Sequence, residues 1–466
     1  MNPGMRLYLE WLERERPSEV LRIEKEVSPE YEIPALLQQV EERGRRPVLI
    51  FENVRNLNGK RSELPVVINL FGARERLADA LGTTVARLAL DYVAREKPIA
   101  PVVVDRASAP VKQVVRTGAD ADLYDLPVLT HHEMDLGPYL TSPSVWVKDL
   151  ETGWTNCGIL RIYVSGPRQM VVNFNIARHT FHYFQKYKAA KRDVPIVLVM
   201  GHHPAFYLGA QTKLLADEPH IIGGVMGEPL ELTASETWGS DVMVPAAADM
   251  VIEAEMSHSE LDVEGPFGEY TQYYGGQKLS PVAQVRAITR RKDAMYLDIM
   301  PGRADHLLLD APMVEAYLYS RLKDVVPSVI AVHMPVSGTA RLHAYIQMKK
   351  TNDGEPRTVI ASALSSDYRL KHVVVVDEDV NIFDDAQVLW AIATRSQWDR
   401  DLMVLPNMMG TTLDPSANHI LTAKGGIDAT RPIDPHEFAI KLSIPEAVQS
   451  RVRLEDYLTP DSLRRL

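Results

Sequence analysis

The feature that most constrains this chain is a succession of short apolar runs between about Val111 and Ile299, each broken by Gly, Pro or Asn. They read "SVWVKDL", "LRIYVSG", "MVVNFNI", "PIVLVMG", "ADMVIEAEM", "VAQVRAITR" and "AMYLDIM". Runs this short are strands rather than ordinary helices, and the residues between them are turn formers. So many in one stretch predict an antiparallel sheet or a barrel. A helical patch, "TFHYFQKYKAAKR", lies between them.

The flanks read differently. Leu7, Leu9, Trp11 and Leu12 recur at helical spacing within residues 5–15, and "PEYEIPALLQQVEERG" is a second helix ended by Gly44. "PVLIFENV" and "LPVVINLFG" are strands, and "ARERLADALG" is a helix that begins near Gly72 and offers a weak anion seat. Beyond "MPGRADHLLLDAPMVEAYLYSRLKDVV", helices alternate with strands such as "HVVVVDEDV" and end in a charged tail suited to reach a neighbour. At 466 residues the chain exceeds one compact core. The expected multi-domain α+β / α/β organisation is an N-terminal α/β region over 1–110, a central strand-rich region over 111–300, and a C-terminal α/β domain with a terminal helix over 301–466.

A net charge of −11 with no basic run argues against a nucleic-acid partner. The single cysteine, Cys157, cannot form an internal disulfide, which fits a reducing cytoplasm. The N-terminus lacks the apolar run of a signal peptide, and no stretch is long and apolar enough to span a membrane.

The chemistry concentrates in a few places. In "ELDVEGPFGEYTQYYGG", Glu264 and Glu269 flank a Gly-Pro-Phe-Gly linker, where Gly265 and Gly268 allow a tight path and Pro266 and Phe267 fix it. Two carboxylates that share a site with an arginine have their proton affinities pushed apart, which is equipment for a general acid. In "WTNCGILRIYV", Asn156 and Arg161 lie five apart at the start of a strand, and Arg161 offers a planar fork for a carboxylate. Taken alone, it reads as a surface cation at a strand start. "NFNIARHTFHYF" supplies Arg178, His179 and His182, and Glu218 lies in a Pro- and Gly-rich turn of "LLADEPHIIGGVMGEPLEL". "THHEMD", with His131, His132, Glu133 and Asp135, and "GHHP", with His202 and His203, are richer in potential ligands. Neither has the helical pair of histidines of a zinc protease, and both read as loops. Cys157 has no base beside it and reads as a small buried thiol. Signatures of dinucleotide binding, phosphate loops and nucleophile elbows are absent.

"EGPFGEYTQYY", "NCGILR" and the "RH" that follows resemble the UbiD-type decarboxylases, which use prenylated FMN. "DEPHIIGGVMGEPLEL", "HVVVVDEDVNIFDDAQVLWAIATR", "LDPS" and "GGIDATRP" extend the resemblance over nearly the whole chain. The resemblance implies that Arg161, Glu264 and Glu269 are the catalytic set. It implies that Asn156, His179 and Glu218 bind a divalent metal, typically Mn²⁺, which with K⁺ ties the cofactor phosphate to the protein. It places Asn156, Cys157, Gly158, Ile159, Leu160, Arg161, Arg178, His179, Glu218 and Lys371 around the prenylated flavin.

It further implies a split β-barrel resembling flavin reductases for the central region, and a homodimer or homohexamer assembled through the C-terminal domain. A separate flavin prenyltransferase would supply the cofactor. The implied reaction is reversible, non-oxidative decarboxylation through a covalent adduct between substrate and prenylated FMN. Glu269 would donate the proton, Arg161 would orient the substrate carboxylate, and Glu264 would hold Arg161. Relatives acting on polyprenylated hydroxybenzoates carry Asp where this chain has Glu269 and differ around "NIARHTF". The departure points to a small aromatic, heteroaromatic or acrylic acid. The alternatives are 4-hydroxy-3-polyprenylbenzoate decarboxylation in ubiquinone synthesis, a non-catalytic subunit of a multi-component (de)carboxylase, and an ordinary flavoprotein oxidoreductase.

Overall fold

The apolar runs assemble into one antiparallel sheet in the computed structural model, which describes residues 4–174, 179–434, 436, 438–459 and 462. Its strand order is Tyr139–Leu140, Ile162–Gly166, Gln169–Val172, Lys278–Arg290, Met250–Glu264, Val194–Met200, Ser144–Lys148, Thr155–Ile159. Val114–Thr117 adds to the side of Lys278–Arg290. The spine is the hairpin of Met250–Glu264 and Lys278–Arg290, registered from Met250↔Arg290 to Glu264↔Lys278.

Successive side chains of a strand point to opposite faces, and here both faces are covered. Val145, Val147, Ile196, Leu198, Ile252 and Ala254 enter one core. Trp146, Val197, Val199 and Val251 enter another. Double burial explains why these strands read as continuous apolar runs rather than as alternations.

Thr155–Ile159 ends the sheet on one side, while Ile162–Gly166 is next to last on the other. Only Leu160 and Arg161 join them. Four consecutive Cα atoms span at most about 11 Å, so the sheet must curl until its two ends nearly meet. No ladder joins these two strands among the described residues. The link bonds elsewhere: the Leu160 amide donates to the Pro143 carbonyl, and the Arg161 carbonyl accepts from the Asn173 amide.

The N-terminal helices form at Met5–Glu15 and Glu32–Glu42. Val20–Ile23, Val48–Phe51 and Val66–Ile68 make a small sheet. Its fourth strand is Tyr296–Leu297, expected with the central strands but paired in parallel with Val66 and Val67. Both residues are buried, and the Asp298 amide extends the pairing to the Val67 carbonyl. The C-terminal region is a five-stranded mixed sheet, Val329–His333, His343–Met348, His372–Asp377, Leu421–Ala429, Leu402–Met409, with helices Ala304–Val325, Glu355–Ser366 and Asp385–Arg395. In the tail the described residues form a helix over Glu446–Gln449 and a 3₁₀ turn over Leu454–Asp456. No described helix is long and apolar enough to cross a membrane.

Candidate active site

Arg161 and the two acids meet, from positions more than a hundred residues apart. Glu264 ends one long strand of the spine and is completely buried. Its carboxylate takes Arg161 in a fork, Nε to Oε1 at 2.8 Å and Nη2 to Oε2 at 3.2 Å. The remaining terminal nitrogen, Nη1, is hydrogen-bonded to Glu269 Oε1. Phe267 lies beneath, with its ring centroid 4.8 Å from the guanidinium carbon, a cation–π contact that holds the fork flat. Burial alone would weaken the arginine's hold on its proton; Glu269 and Glu264 overcome it and keep Arg161 charged.

Glu269 sits at the tip of a small hairpin, Phe267–Gly268 against Tyr274–Gly275. Its amide donates to Tyr273 O, and its carbonyl accepts from Gln272 N. Lys278 lies directly across from Glu264, and its ammonium donates to the Phe174 carbonyl at 3.0 Å. His306 approaches from the C-terminal side: its Nδ1 accepts from Gly302 N at 3.3 Å, and a Cβ on Gly302 would lie 3.0 Å from the Glu269 carbonyl. Burial drives the His306 imidazole down to about 4, so it is neutral at pH 7. Lys278 and His306 escape a reading of the sequence. A register count back from the hairpin finds the first; nothing local signals the second.

A second cluster gathers Asn156, His179 and Glu218. Glu218 opens the helix Glu218–Met226 rather than lying in a turn, because Pro219, with its preset φ, suits the first helical turn. The Glu218 carboxylate is buried and accepts from Asn156 Nδ2 and from the Cys157 amide, each at 2.5 Å. His179 Nδ1 lies 3.5 Å away. Among the described residues no lysine or arginine pairs with it. A buried carboxylate met only by an amide, a backbone N–H and an imidazole has room for a cation. The Asn156 oxygen is bonded to Thr180 Oγ1, so the amide must turn for that oxygen to join a metal. No group of three or more His, Cys, Asp or Glu that could hold a metal gathers anywhere among the described residues, this cluster included.

Gly158 and Ile159 continue the edge strand that carries Asn156 and Cys157, and Leu160 leads to Arg161. An edge strand has unpaired backbone groups to offer a ligand. Cys157 is a buried thiol, its proton held more tightly by burial. Arg178 lies outside the described residues. Lys371 is not drawn to the arginine; its ammonium bonds Asp414 Oδ2 at 2.8 Å and Ser416 Oγ at 2.6 Å. Asp414 belongs to the loop whose Leu413 packs against the small cluster that holds Tyr270, the neighbour of Glu269. His202 is a fully buried core histidine. The "THHEMD" loop packs directly under the acid hairpin.

Three family models align in order along the chain. The N-terminal, Rift-related and C-terminal domains described as 3-octaprenyl-4-hydroxybenzoate carboxy-lyase match residues 9–95, 102–304 and 308–429. The anhydromevalonate phosphate decarboxylase of Methanothermobacter thermautotrophicus is 34% identical over 418 residues, covering 89% of this chain and 95% of that protein. Among solved structures, the UbiD-class enzyme HmfF from Pelotomaculum thermopropionicum in complex with FMN superposes with a TM-score of 0.91. It is 38% identical and covers 98% of this chain and 100% of its own. An evolved dimeric form of HmfF in complex with prFMN gives 0.87 at 36% identity, with coverage of 98% and 100%.

Proposed function

Since the chain belongs to the UbiD family of carboxy-lyases, we propose that it decarboxylates, reversibly and without oxidation, an aromatic, heteroaromatic or α,β-unsaturated carboxylic acid with prenylated FMN. The observation that carries this reading is the partly buried arginine held by one carboxylate through two nitrogens and by a second carboxylate through the third.

The two acids are held unequally, and the inequality suits two jobs. Glu264 grips Arg161 at two points and fixes its plane. Glu269 holds only Nη1, the nitrogen an incoming substrate carboxylate would take. A substrate that displaces Glu269 there is oriented by a charged fork that Glu264 keeps in place. The freed Glu269 is then available to carry a proton to the reacting carbon. Glu269 then delivers that proton to the carbon that has lost CO₂, and recovers another from solvent. Phe267, packed on Tyr139, covers one face of the Arg161 guanidinium.

Prenylated FMN, when bound, supplies the electron sink that decarboxylation at such a carbon needs. The edge strand from Asn156 to Arg161, with Arg178, His179 and Lys371, would hold it. Asn156, His179 and Glu218 would hold Mn²⁺, with K⁺ beside it, against the cofactor phosphate. We read the curled central sheet as a split barrel, supported by the two-residue link between its ends. We read the assembly as a homodimer or homohexamer. Its support is the nearly full exposure of Ile440 and Leu442, with Ile444 and Tyr457 also exposed, in a tail with no apolar cover in a single chain. A flavin prenyltransferase would supply the cofactor.

The test is CO₂ release from a panel of pyrrole-, furan- and indole-carboxylates, hydroxybenzoates and cinnamates by protein co-expressed with a flavin prenyltransferase. One class of acid is expected to turn over. Glu269→Gln should abolish turnover and leave the cofactor bound; a Gln variant that still turns over removes Glu269 from the acid role.

A further inference from the structure

Among the described residues the acid hairpin pairs with no strand outside itself, yet it must present Glu269 to Arg161 with ångström accuracy. Beyond the ends of the two spine strands it joins, no lateral ladder braces it. The contacts that do so come from residues 131–139, whose histidines and acids suggested only a loop in the sequence.

The Tyr139 hydroxyl accepts the Gly265 amide at 3.1 Å and faces Glu264 Oε1 at 3.4 Å, as the donor there. Its ring packs on Phe267, centroids 4.3 Å apart. The Leu136 amide donates to the Pro266 carbonyl. Asp135, buried, accepts the Gly268 amide at 3.0 Å with one oxygen and the His132 amide at 2.9 Å with the other. The Met134 amide donates to the Tyr274 hydroxyl.

This segment is itself anchored where it matters. His131 Nε2 meets Asp298 Oδ1 at 2.7 Å, with both side chains fully buried. Tyr139 and Leu140 pair with Tyr163 and Ile162, the strand that begins one residue after Arg161. Tyr139 thus joins the two halves of the site, the backbone that carries the arginine and the carboxylate that clamps it.

We propose that Tyr139 and Asp135 are positioning residues that set the acid hairpin against Arg161. The proposal rests on the decarboxylase reading for its consequence, but its geometry can be tested without turnover. Tyr139→Phe keeps the ring and removes the hydroxyl; Asp135→Asn keeps the shape and replaces one acceptor by a donor. In hydrogen exchange on the cofactor-loaded protein, the Gly265–Gly276 amides of both variants should exchange about tenfold faster, the worth of one hydrogen bond, with the long strands unchanged. Unchanged exchange in the hairpin overturns the proposal.

In an active preparation, Tyr139→Phe should lower kcat about tenfold with flavin content and KM near those of the parent. A parent that releases CO₂, together with variants of unaltered kcat, overturns the positioning role. A parent silent on every acid overturns the decarboxylase reading and leaves the exchange result to decide the geometry.

Discussion

Gly268 acts by what it lacks. A Cβ there would lie 2.4 Å from His132 Nδ1 and 2.6 Å from Cε1, so alanine must push either the imidazole or the hairpin that bears Glu269. Gly268→Ala is expected to cut kcat about ten- to a hundredfold, the usual effect of a displacement near 1 Å. Adding His132→Ala opens the space and should restore most of it; a double variant as slow as the single one would show that the clash is not the cause. The pair of acids was legible because glycine, proline and phenylalanine between them left few backbone paths. Arg161 was visible only through the family motif, since a lone arginine at a strand start has no chemistry of its own. Tyr139 was not legible: its carboxylate partner lies 125 positions away, and a tyrosine between a proline and a leucine looks like core.

The elements are tied together by buried charge as well as by apolar packing. Arg74, on the short helix Arg74–Ala80, forks onto Glu315 of the long helix Ala304–Val325 at 2.9 and 2.7 Å. Glu315 also takes His333 Nδ1 and the Met334 amide. Truncating one member of a buried pair leaves the other uncompensated. Glu315→Ala should therefore lower stability by about 3–5 kcal/mol, read from the urea midpoint; a loss below about 1 kcal/mol would mean that water replaces the pair. Local elements were largely readable, since helical spacing marks Met5–Glu15 and apolar runs mark the long strands. Pairing between distant segments was not. Tyr296–Leu297 looks like its neighbours in sequence, and only the chain's return to Val66 shows where it belongs.

Across the whole molecule, burial sets the response to acid. It pushes His202 down to about 3, and His203, His306 and His343 down to about 4. These groups stay neutral when folded and take protons near pH 6.5 when unfolded, so stability is lost as the pH falls below that value. Burial also raises Asp249 and Asp305 to about 7, which acts in the opposite sense because the folded form binds those protons first. The histidines are the more numerous, and the melting temperature should fall steadily between pH 6.5 and 4.5 in a thermal-shift series; a constant or rising midpoint would refute this balance. The unsewn join at Leu160–Arg161 has a mechanical consequence of its own. A cylinder closed all round stiffens everywhere, since widening it anywhere tears a row of hydrogen bonds. One left open along a line can give there, against only the two backbone bonds the link makes. The guanidinium that, in the proposed mechanism, lets go of one carboxylate and accepts another is mounted on that compliant line, facing a hairpin braced from beneath.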